Sequence, residues 1–156
     1  MQIHVIAATN RQPAWVDEAY QHYAKRFRGK IELITTEIRL SKRSKHSEIQ
    51  RARADEADRM LAAAPRNAYS VALLESGSNW STAELARRLA EWMRLGVQPC
   101  FFIGGPDGLG PACLEAASAQ WSLSGLTLPH GLAKIIVVEA LYRAWMVDEG
   151  HPYHRE

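Results

Sequence analysis

The stretch Ile103-Gly104-Gly105-Pro106-Asp107-Gly108-Leu109 decides the fold, because it continues the apolar run 100–103 straight into a glycine-rich turn. The apolar run predicts a buried strand, and Pro111 beyond the turn predicts a short helix over 111–119. Glycines at such a junction let the backbone turn sharply and approach a ligand closely. The stretch therefore predicts an α/β unit with a ligand-binding edge where the strand ends.

This glycine loop matches neither of the common phosphate-binding motifs. Its glycines are not in the G-x-G-x-x-G order, and no Gly-Lys-Ser/Thr follows as in a P-loop. A purely structural strand-to-helix turn therefore stands as the alternative to a ligand-binding loop.

Outward from the loop, strand-like and helix-like segments alternate along the whole chain. β-branched or apolar runs predict strands over 3–8, 31–38, 71–74, 100–103 and from 121, the last passing into a loop by 128. Helical stripes follow Pro13, cover 49–64, begin at the Ser81/Glu84 capping box, and fill 133–145. This alternation predicts one α/β domain over residues 1–156, with a mostly parallel sheet and helices on both faces.

The final helix is apolar around most of its circumference. Ile135, Val138 and Tyr142 lie off its main apolar stripe, so more than one side should be covered. Burial within the monomer and burial in a subunit interface are equally good explanations of this pattern.

Composition sets the class of protein. The 156 residues suit one domain, and the net charge of +2 is too small to indicate a nucleic-acid partner by itself. Cys100 and Cys113 have no metal-binding spacing, and a buried free thiol at Cys100 favours a reducing compartment. No run reaches membrane-spanning length and the start lacks a signal-peptide pattern, so we expect a cytoplasmic protein. Because no metal-binding pattern is present, we also expect it to hold no metal.

Two further segments carry side chains suited to binding. The segment 121–130, Trp-Ser-Leu-Ser-Gly-Leu-Thr-Leu-Pro-His, offers small and apolar residues for a flat pocket wall, although an ordinary edge strand is the alternative. The tail 151–156, His-Pro-Tyr-His-Arg-Glu, suits contacts with bases and phosphates. A basic patch over Arg39–Lys45 becomes informative only beside such a site. Because no classical catalytic set is present, any chemistry must come from a bound cofactor and from positioning.

Taken together, these segments resemble the bacterial ribosomal RNA large subunit methyltransferase H family. The likeness rests on the 103–109 loop with Pro111-Ala112-Cys113, on 121–130, on Leu141-Tyr142-Arg143-Ala144-Trp145 and on the terminal His-Pro-Tyr-His-Arg-Glu. Earlier segments agree as well, namely Pro13-Ala14-Trp15-Val16, Lys42-Arg43 and Met60-Leu61-Ala62-Ala63-Ala64. The resemblance extends over essentially the full length.

The resemblance implies a SPOUT fold, in which the α/β sheet is threaded into a trefoil knot near the C-terminus. It implies a homodimer that binds S-adenosylmethionine in the knot loops. It also implies N3-methylation of a pseudouridine in 23S ribosomal RNA within the assembled ribosome.

The resemblance also implies roles for individual residues. The expected cofactor contacts are Leu73, Gly104, Leu123, Ser124, Gly125, Leu126, Thr127 and Leu128. His130, Tyr153 and His154 are the candidates for removing the N3 proton or stabilising the resulting anion. Lys42, Arg43, Lys45, Arg143 and Arg155 are assigned to RNA phosphates.

Two rival functions remain open at this stage. A ribosome-binding protein that had lost catalysis would keep the fold but not the affinity for S-adenosylmethionine. A small enzyme using another nucleotide cofactor is disfavoured by the missing dinucleotide fingerprint.

Overall fold

The computed structural model describes residues 1–155 and consists of one five-stranded sheet covered by helices on both faces. The elements in chain order are β1 (Gln2–Ala8), α1 (Ala14–Ala24), β2 (Glu32–Ile38), α2 (His46–Ala63), β3 (Tyr69–Asn79), α3 (Thr82–Leu95), β4 (Pro99–Ile103), α4 (Pro111–Ala116), β5 (Ala119–Ser122) and α5 (His130–Asp148), followed by a 3₁₀ turn over Pro152–Arg155.

All the strand pairs are parallel, in the spatial order β2-β1-β4-β3-β5. β4 therefore lies between β1 and β3, and the carboxyl ends of all five strands meet at one edge of the sheet. Ligands bind at that edge in parallel α/β sheets. The predicted parallel α/β architecture is confirmed.

The alternating side chains of the strands form two cores. On one face, side chains such as Val5, Phe101 and Ile103 pack with α1, α3 and α5. On the other face, Ile6 and Phe102 pack with α2 and α4. β1 and β4 are buried on both faces, which explains their nearly continuous apolar sequences.

α5 is the central helix of the first core. Val138 is fully buried, and Ile135 and Tyr142 pack against the core from its margin. Burial within the monomer therefore accounts for the three residues that lie off the main stripe. Leu132 and Ile136, one turn apart, stay 38% and 37% exposed.

Two predicted boundaries were wrong. α4 ends at Ala116 instead of continuing to Ala119, because residues from Ala119 onward pair with β3. β3 does not stop at Leu74: after a register shift between Leu73 and Ser78 it rejoins β5 and continues to Asn79. Gly77 permits this, since a Cβ there would stand 2.8 Å from the backbone carbon of Gln120.

Helix ends follow the predicted signals in α3. The Ser81 hydroxyl accepts a hydrogen bond from the Glu84 amide at 3.1 Å, and Gly96 closes the helix with φ +67°. None of the helices described within residues 1–155 is long and apolar enough to cross a membrane.

Candidate cofactor site

A cavity of about 850 Å³ opens at the carboxyl edge of the sheet, where the segments after β3, β4 and β5 converge. Its size lies within the range of small-molecule sites, roughly 300–1,000 Å³. Of the eight residues predicted to contact a cofactor, Leu73, Gly104, Leu123, Ser124, Leu126, Thr127 and Leu128 line the cavity. Gly125, the eighth, lies between lining residues without lining the cavity itself.

The glycine loop 104–110 forms one wall of the cavity and needs its glycines. A Cβ on Gly104 would stand 2.5 Å from the backbone carbon of Gly108 and 2.6 Å from the Leu109 nitrogen. Gly108 adopts φ +80°, a conformation that favours glycine. The loop therefore folds back on itself only because these positions lack side chains.

Arginines hold the glycine loop from behind. Arg43 Nε lies 3.0 Å from Asp107 Oδ2, and Arg53 donates a hydrogen bond of 2.6 Å to the Leu109 carbonyl. Arg43 also donates to both carboxylate oxygens of buried Glu56, at 2.8 and 2.9 Å. Arg43 was predicted to contact RNA phosphates, yet here its guanidinium is committed to two carboxylates of its own chain.

The opposite wall is the segment 122–129, shaped by its own serines. The Ser122 hydroxyl donates to the Ser124 carbonyl at 3.1 Å, and the Ser124 hydroxyl accepts from the Leu126 amide at 2.9 Å. Below it, Trp121 stacks on Trp80 with ring centroids 5.1 Å apart. These contacts fix the apolar base of the wall, while Leu126 stays 74% exposed at its rim.

The charged groups of this cavity are carboxylates. Among the lining residues that the structure describes, Glu75 and Asp107 are acidic and none is lysine or arginine. Asp107 is paired with Arg43, which leaves Glu75 as the lining carboxylate without a partner among the described residues. Such a cavity suits a cationic or neutral ligand and disfavours the phosphates of a dinucleotide or ATP. Glu75 was not among the predicted site residues, because the third strand was predicted to end at Leu74.

His130 begins α5 and borders the cavity. Its Nε2 lies 2.8 Å from the Gln12 amide nitrogen and 3.1 Å from the Thr9 hydroxyl oxygen. The same Gln12 atom lies 3.3 Å from the Asn10 carbonyl oxygen, which can only accept a hydrogen bond. That contact identifies the atom as the amide nitrogen, and an amide nitrogen can only donate. Gln12 therefore donates to Nε2 of His130. The ring proton is thereby assigned to Nδ1. Burial, together with the nearby Lys134 charge, lowers the pKa of His130 below 6.5, so the ring is neutral at pH 7.

The tail lies on the far part of α5. The Tyr153 hydroxyl donates to Glu139 at 3.2 Å, and Arg143 holds both Glu139 Oε1, at 2.7 Å, and the Tyr153 carbonyl, at 3.2 Å. Glu139 follows His130 by nine residues, about 13 Å along a helix axis. Burial first, then the Glu139 carboxylate, raises the pKa of Tyr153 to about 12. Tyr153 therefore packs against the part of α5 that lies away from the cavity.

The remaining predicted RNA contacts differ in how free they are. Lys42, Lys45 and Arg155 are exposed, whereas Arg143 is committed to Glu139 and the tail backbone. The side chain of His154 lies outside what the structure describes. Among the side chains that the structure describes, which leave out His154, no group of three His, Cys, Asp or Glu is arranged to hold a metal ion.

The cysteines are not part of this site. Cys100 and Cys113 are both buried and free. Burial raises the pKa of Cys100 to about 12 and that of Cys113 to about 11, so neither is a thiolate near neutral pH.

The fold and the cavity define a parallel α/β protein with a cavity at the carboxyl edge of its sheet whose lining suits a small, non-anionic organic ligand. A protein-family model described as "Predicted SPOUT methyltransferase" matches residues 1–154. Ribosomal RNA large subunit methyltransferase H of Methylococcus capsulatus is 47% identical over 99% of this chain and 100% of its own length. The chain belongs to the SPOUT methyltransferases and, within them, to the ribosomal RNA large subunit methyltransferase H family.

Other relatives agree. The proteins of the same name from Nitrosococcus oceani and Thioalkalivibrio sulfidiphilus are 48% and 47% identical, and each match covers at least 99% of both chains. Among solved structures, a probable methylase family protein from Haemophilus influenzae matches with a TM-score of 0.53. That match covers 96% of this chain and 69% of the other at 11% identity, and it bears on the fold alone.

Proposed function

We propose that this protein transfers the methyl group of S-adenosylmethionine to N3 of a pseudouridine in 23S ribosomal RNA, within the assembled ribosome. The observation that carries the proposal is the convergence of seven predicted cofactor residues on one cavity whose charged groups are carboxylates. The names of the full-length relatives support the RNA substrate. The proposal applies to residues 1–156 as one SPOUT domain.

The cavity fits S-adenosylmethionine in size and charge. When bound, the cofactor supplies an activated methyl group on a sulfonium cation. Its cationic centre and amino group suit the Glu75 carboxylate, and its adenosyl portion suits the wall 122–129, where backbone groups and small side chains alternate with leucines. The described lining of this cavity contains no lysine or arginine, which argues against the alternative of an enzyme that uses a phosphate-bearing nucleotide cofactor.

The chain's main catalytic task is alignment. The glycine loop, held from behind by Arg43 and Arg53, and the wall 122–129 would hold S-adenosylmethionine in one orientation. Holding a nucleophile and a methyl group in line contributes up to about 7–11 kcal/mol of the barrier.

His130 acts on the target base as a hydrogen-bond donor. Because Gln12 donates to Nε2, the neutral ring carries its proton on Nδ1 and can only donate there. This favours stabilisation of the N3 anion over removal of the N3 proton, the two roles that the sequence left open for His130.

The protein works as a homodimer. The exposed apolar residues Leu126, Leu132, Ile136 and Trp15 lie on the loop before α5, on α5 and on α1, which packs against α5. Leu126 lines the cavity, and Leu132 lies between the lining residues His130 and Ala133 in the chain, so a partner covering this surface would bring its own residues towards the cofactor. Because Tyr153 packs away from the cavity of its own subunit, Tyr153 and His154 are assigned to the cavity of the partner.

The chain path near the C-terminus supports the trefoil knot implied by the family. β4 lies between β1 and β3, and the loops after β4 and β5 face the same cavity, as expected when one is threaded through the other. The buried free thiols fit the cytoplasm, where ribosomes reside.

The test is transfer of labelled methyl from S-adenosylmethionine to ribosomes that lack this modification, with free ribosomal RNA in parallel. We expect label in the large-subunit RNA of ribosomes only, mapping to N3 of a pseudouridine. Cofactor binding without transfer to either would overturn the assigned substrate. Ribosome binding without cofactor binding would instead support the non-catalytic alternative.

A further inference from the structure

A second cavity, of about 660 Å³, opens at the same edge of the sheet, where β1 and β2 end. Its lining is entirely polar and consists of Thr9, Asn10, Arg11, Gln12, Asp17, Glu37 and Arg39. Sequence analysis assigned none of these residues to a site, although Arg39 began the basic patch. We call this cavity the β1–β2 cleft.

The β1–β2 cleft adjoins the cofactor cavity through His130. Thr9 and Gln12 line the cleft, and both contact His130 Nε2, while His130 itself lines the cofactor cavity. A polymer whose reacting base lies beside the cofactor can therefore continue directly into the cleft.

The arginines of the cleft are free, unlike those near the glycine loop. Arg11 and Arg39 are exposed, and within residues 1–155 neither has a hydrogen bond or an ion pair. Arg43 and Arg53, by contrast, are committed to their own chain. Free guanidinium groups retain their capacity for bidentate contacts with phosphate.

The acidic residues of the cleft do not cancel this charge. Glu37 is paired with the buried Lys134 ammonium of α5, which also lies over the Tyr20 ring. Asp17 is then the one carboxylate left against two free guanidinium groups. The cleft therefore presents net positive charge beside a cofactor cavity that presents net negative charge.

From this juxtaposition we propose that the β1–β2 cleft binds the phosphodiester backbone of the RNA strand adjoining the target nucleotide, through Arg11 and Arg39. The inference rests on the proposed RNA substrate and names where its backbone lies. Phosphate contacts fix the register of a nucleic acid and carry no sequence information. Their role is to position the target base at His130.

The experiment uses full-length protein and ribosomes lacking the modification. Arg11→Ala, Arg39→Ala and the double variant are compared with Arg66→Ala, an exposed arginine in the turn at the opposite edge of the sheet. Ribosome affinity is measured between 0.05 and 0.2 M salt, conditions of the order used for such plots. Affinity for S-adenosylmethionine and thermal midpoint are measured alongside.

Each phosphate contact contributes about 0.7–0.9 to the slope of log K against log salt. We expect the double variant to lose about 1.4–1.8 of that slope. Its KM for ribosomes should rise, while cofactor affinity and thermal midpoint stay near wild type. Arg66→Ala should retain the wild-type slope.

Two results would overturn the inference in distinguishable ways. If wild-type protein methylates ribosomes and the double variant keeps the slope of Arg66→Ala, the cleft does not hold phosphates and the proposed function stands. If wild-type protein binds cofactor but neither binds nor methylates ribosomes, the proposed function fails and the cleft assignment fails with it.

Discussion

Arg43 and Asp107 form an ion pair, with Nε and Oδ2 3.0 Å apart, that ties the loop before α2 to the glycine loop of the cofactor cavity. The same guanidinium holds Glu56, whose side chain is only 4% exposed. One arginine therefore connects a buried carboxylate of α2 to the wall of the site. Its function in this structure is to position that wall.

Arg43→Ala should destabilise the protein by about 3–5 kcal/mol, because it leaves the Glu56 carboxylate buried without its partner. Urea unfolding measures the change. The control is Arg59→Ala, whose partner Asp55 is 58% exposed, and which should cost no more than about 1 kcal/mol. Equal losses in the two variants would contradict a buried role for Arg43.

Gly104→Ala should weaken S-adenosylmethionine binding by about 5- to 150-fold, since the added Cβ overlaps loop backbone and such overpacking costs about 1–3 kcal/mol. Calorimetric titration measures the affinity. Gly96→Ala, at the C-cap of α3, is the control: its positive φ predicts lost stability with unchanged affinity. Wild-type affinity in folded Gly104→Ala would refute the placement of the cofactor.

Glu75→Gln should reduce affinity for S-adenosylmethionine by roughly fivefold, because a carboxylate about 4 Å from a cation contributes about 1 kcal/mol in water. The loss should be smaller for S-adenosylhomocysteine, which lacks the sulfonium charge. The control is Glu91→Gln, an exposed position near the C-terminal end of α3, which should bind S-adenosylmethionine and S-adenosylhomocysteine like wild type. An equal loss of affinity for both compounds would contradict an interaction between Glu75 and the sulfonium charge.

The His130 ring should titrate below pH 6.5 in an NMR titration, because burial and the Lys134 charge both lower its pKa. Lys134→Met should move the midpoint upward, whereas Lys25→Met, at the far end of α1, should not. Since folded His130 binds its proton less readily than unfolded His130, its contribution to stability is present above pH 6.5 and lost as the pH falls through its folded pKa. A wild-type midpoint at or above 6.5 would contradict this.

Leu132→Glu with Ile136→Glu should convert the proposed homodimer to monomers and abolish methyl transfer, because carboxylates replace apolar groups that are 38% and 37% exposed. Light scattering measures the mass, with Leu95→Glu, an exposed leucine at the end of α3, as control.

Mixing tests the tail's assignment to the partner. At a cofactor concentration too low for Gly104→Ala to bind it, a subunit lacking residues 151–156 and a Gly104→Ala subunit should regain activity together that neither has alone. A fully active monomer, or mixtures that stay inactive, would contradict a site shared between subunits.

Periodicity and turn chemistry in the sequence were sufficient to predict the parallel α/β class, the glycine turn after β4 and the Ser81 cap, since each depends on residues close together in the chain. The continuation of β3 was missed because Glu75–Ser78 is polar, and only pairing with β5 makes it a strand. The resemblance selected the cofactor residues, and the fold brought seven of them to one cavity.

What the sequence by itself determined is the pattern of strands, helices and loops, together with the family. Tertiary structure alone decided which charges are available. From the sequence alone, Arg43 and Arg11 are both expected to be exposed cations. In the folded protein Arg43 is paired with Glu56 and Asp107, whereas Arg11 has no partner among the described residues. The reason is physical: an ion pair between distant residues depends on the packing of α2 and the glycine loop around β1 and β4, which no local pattern encodes.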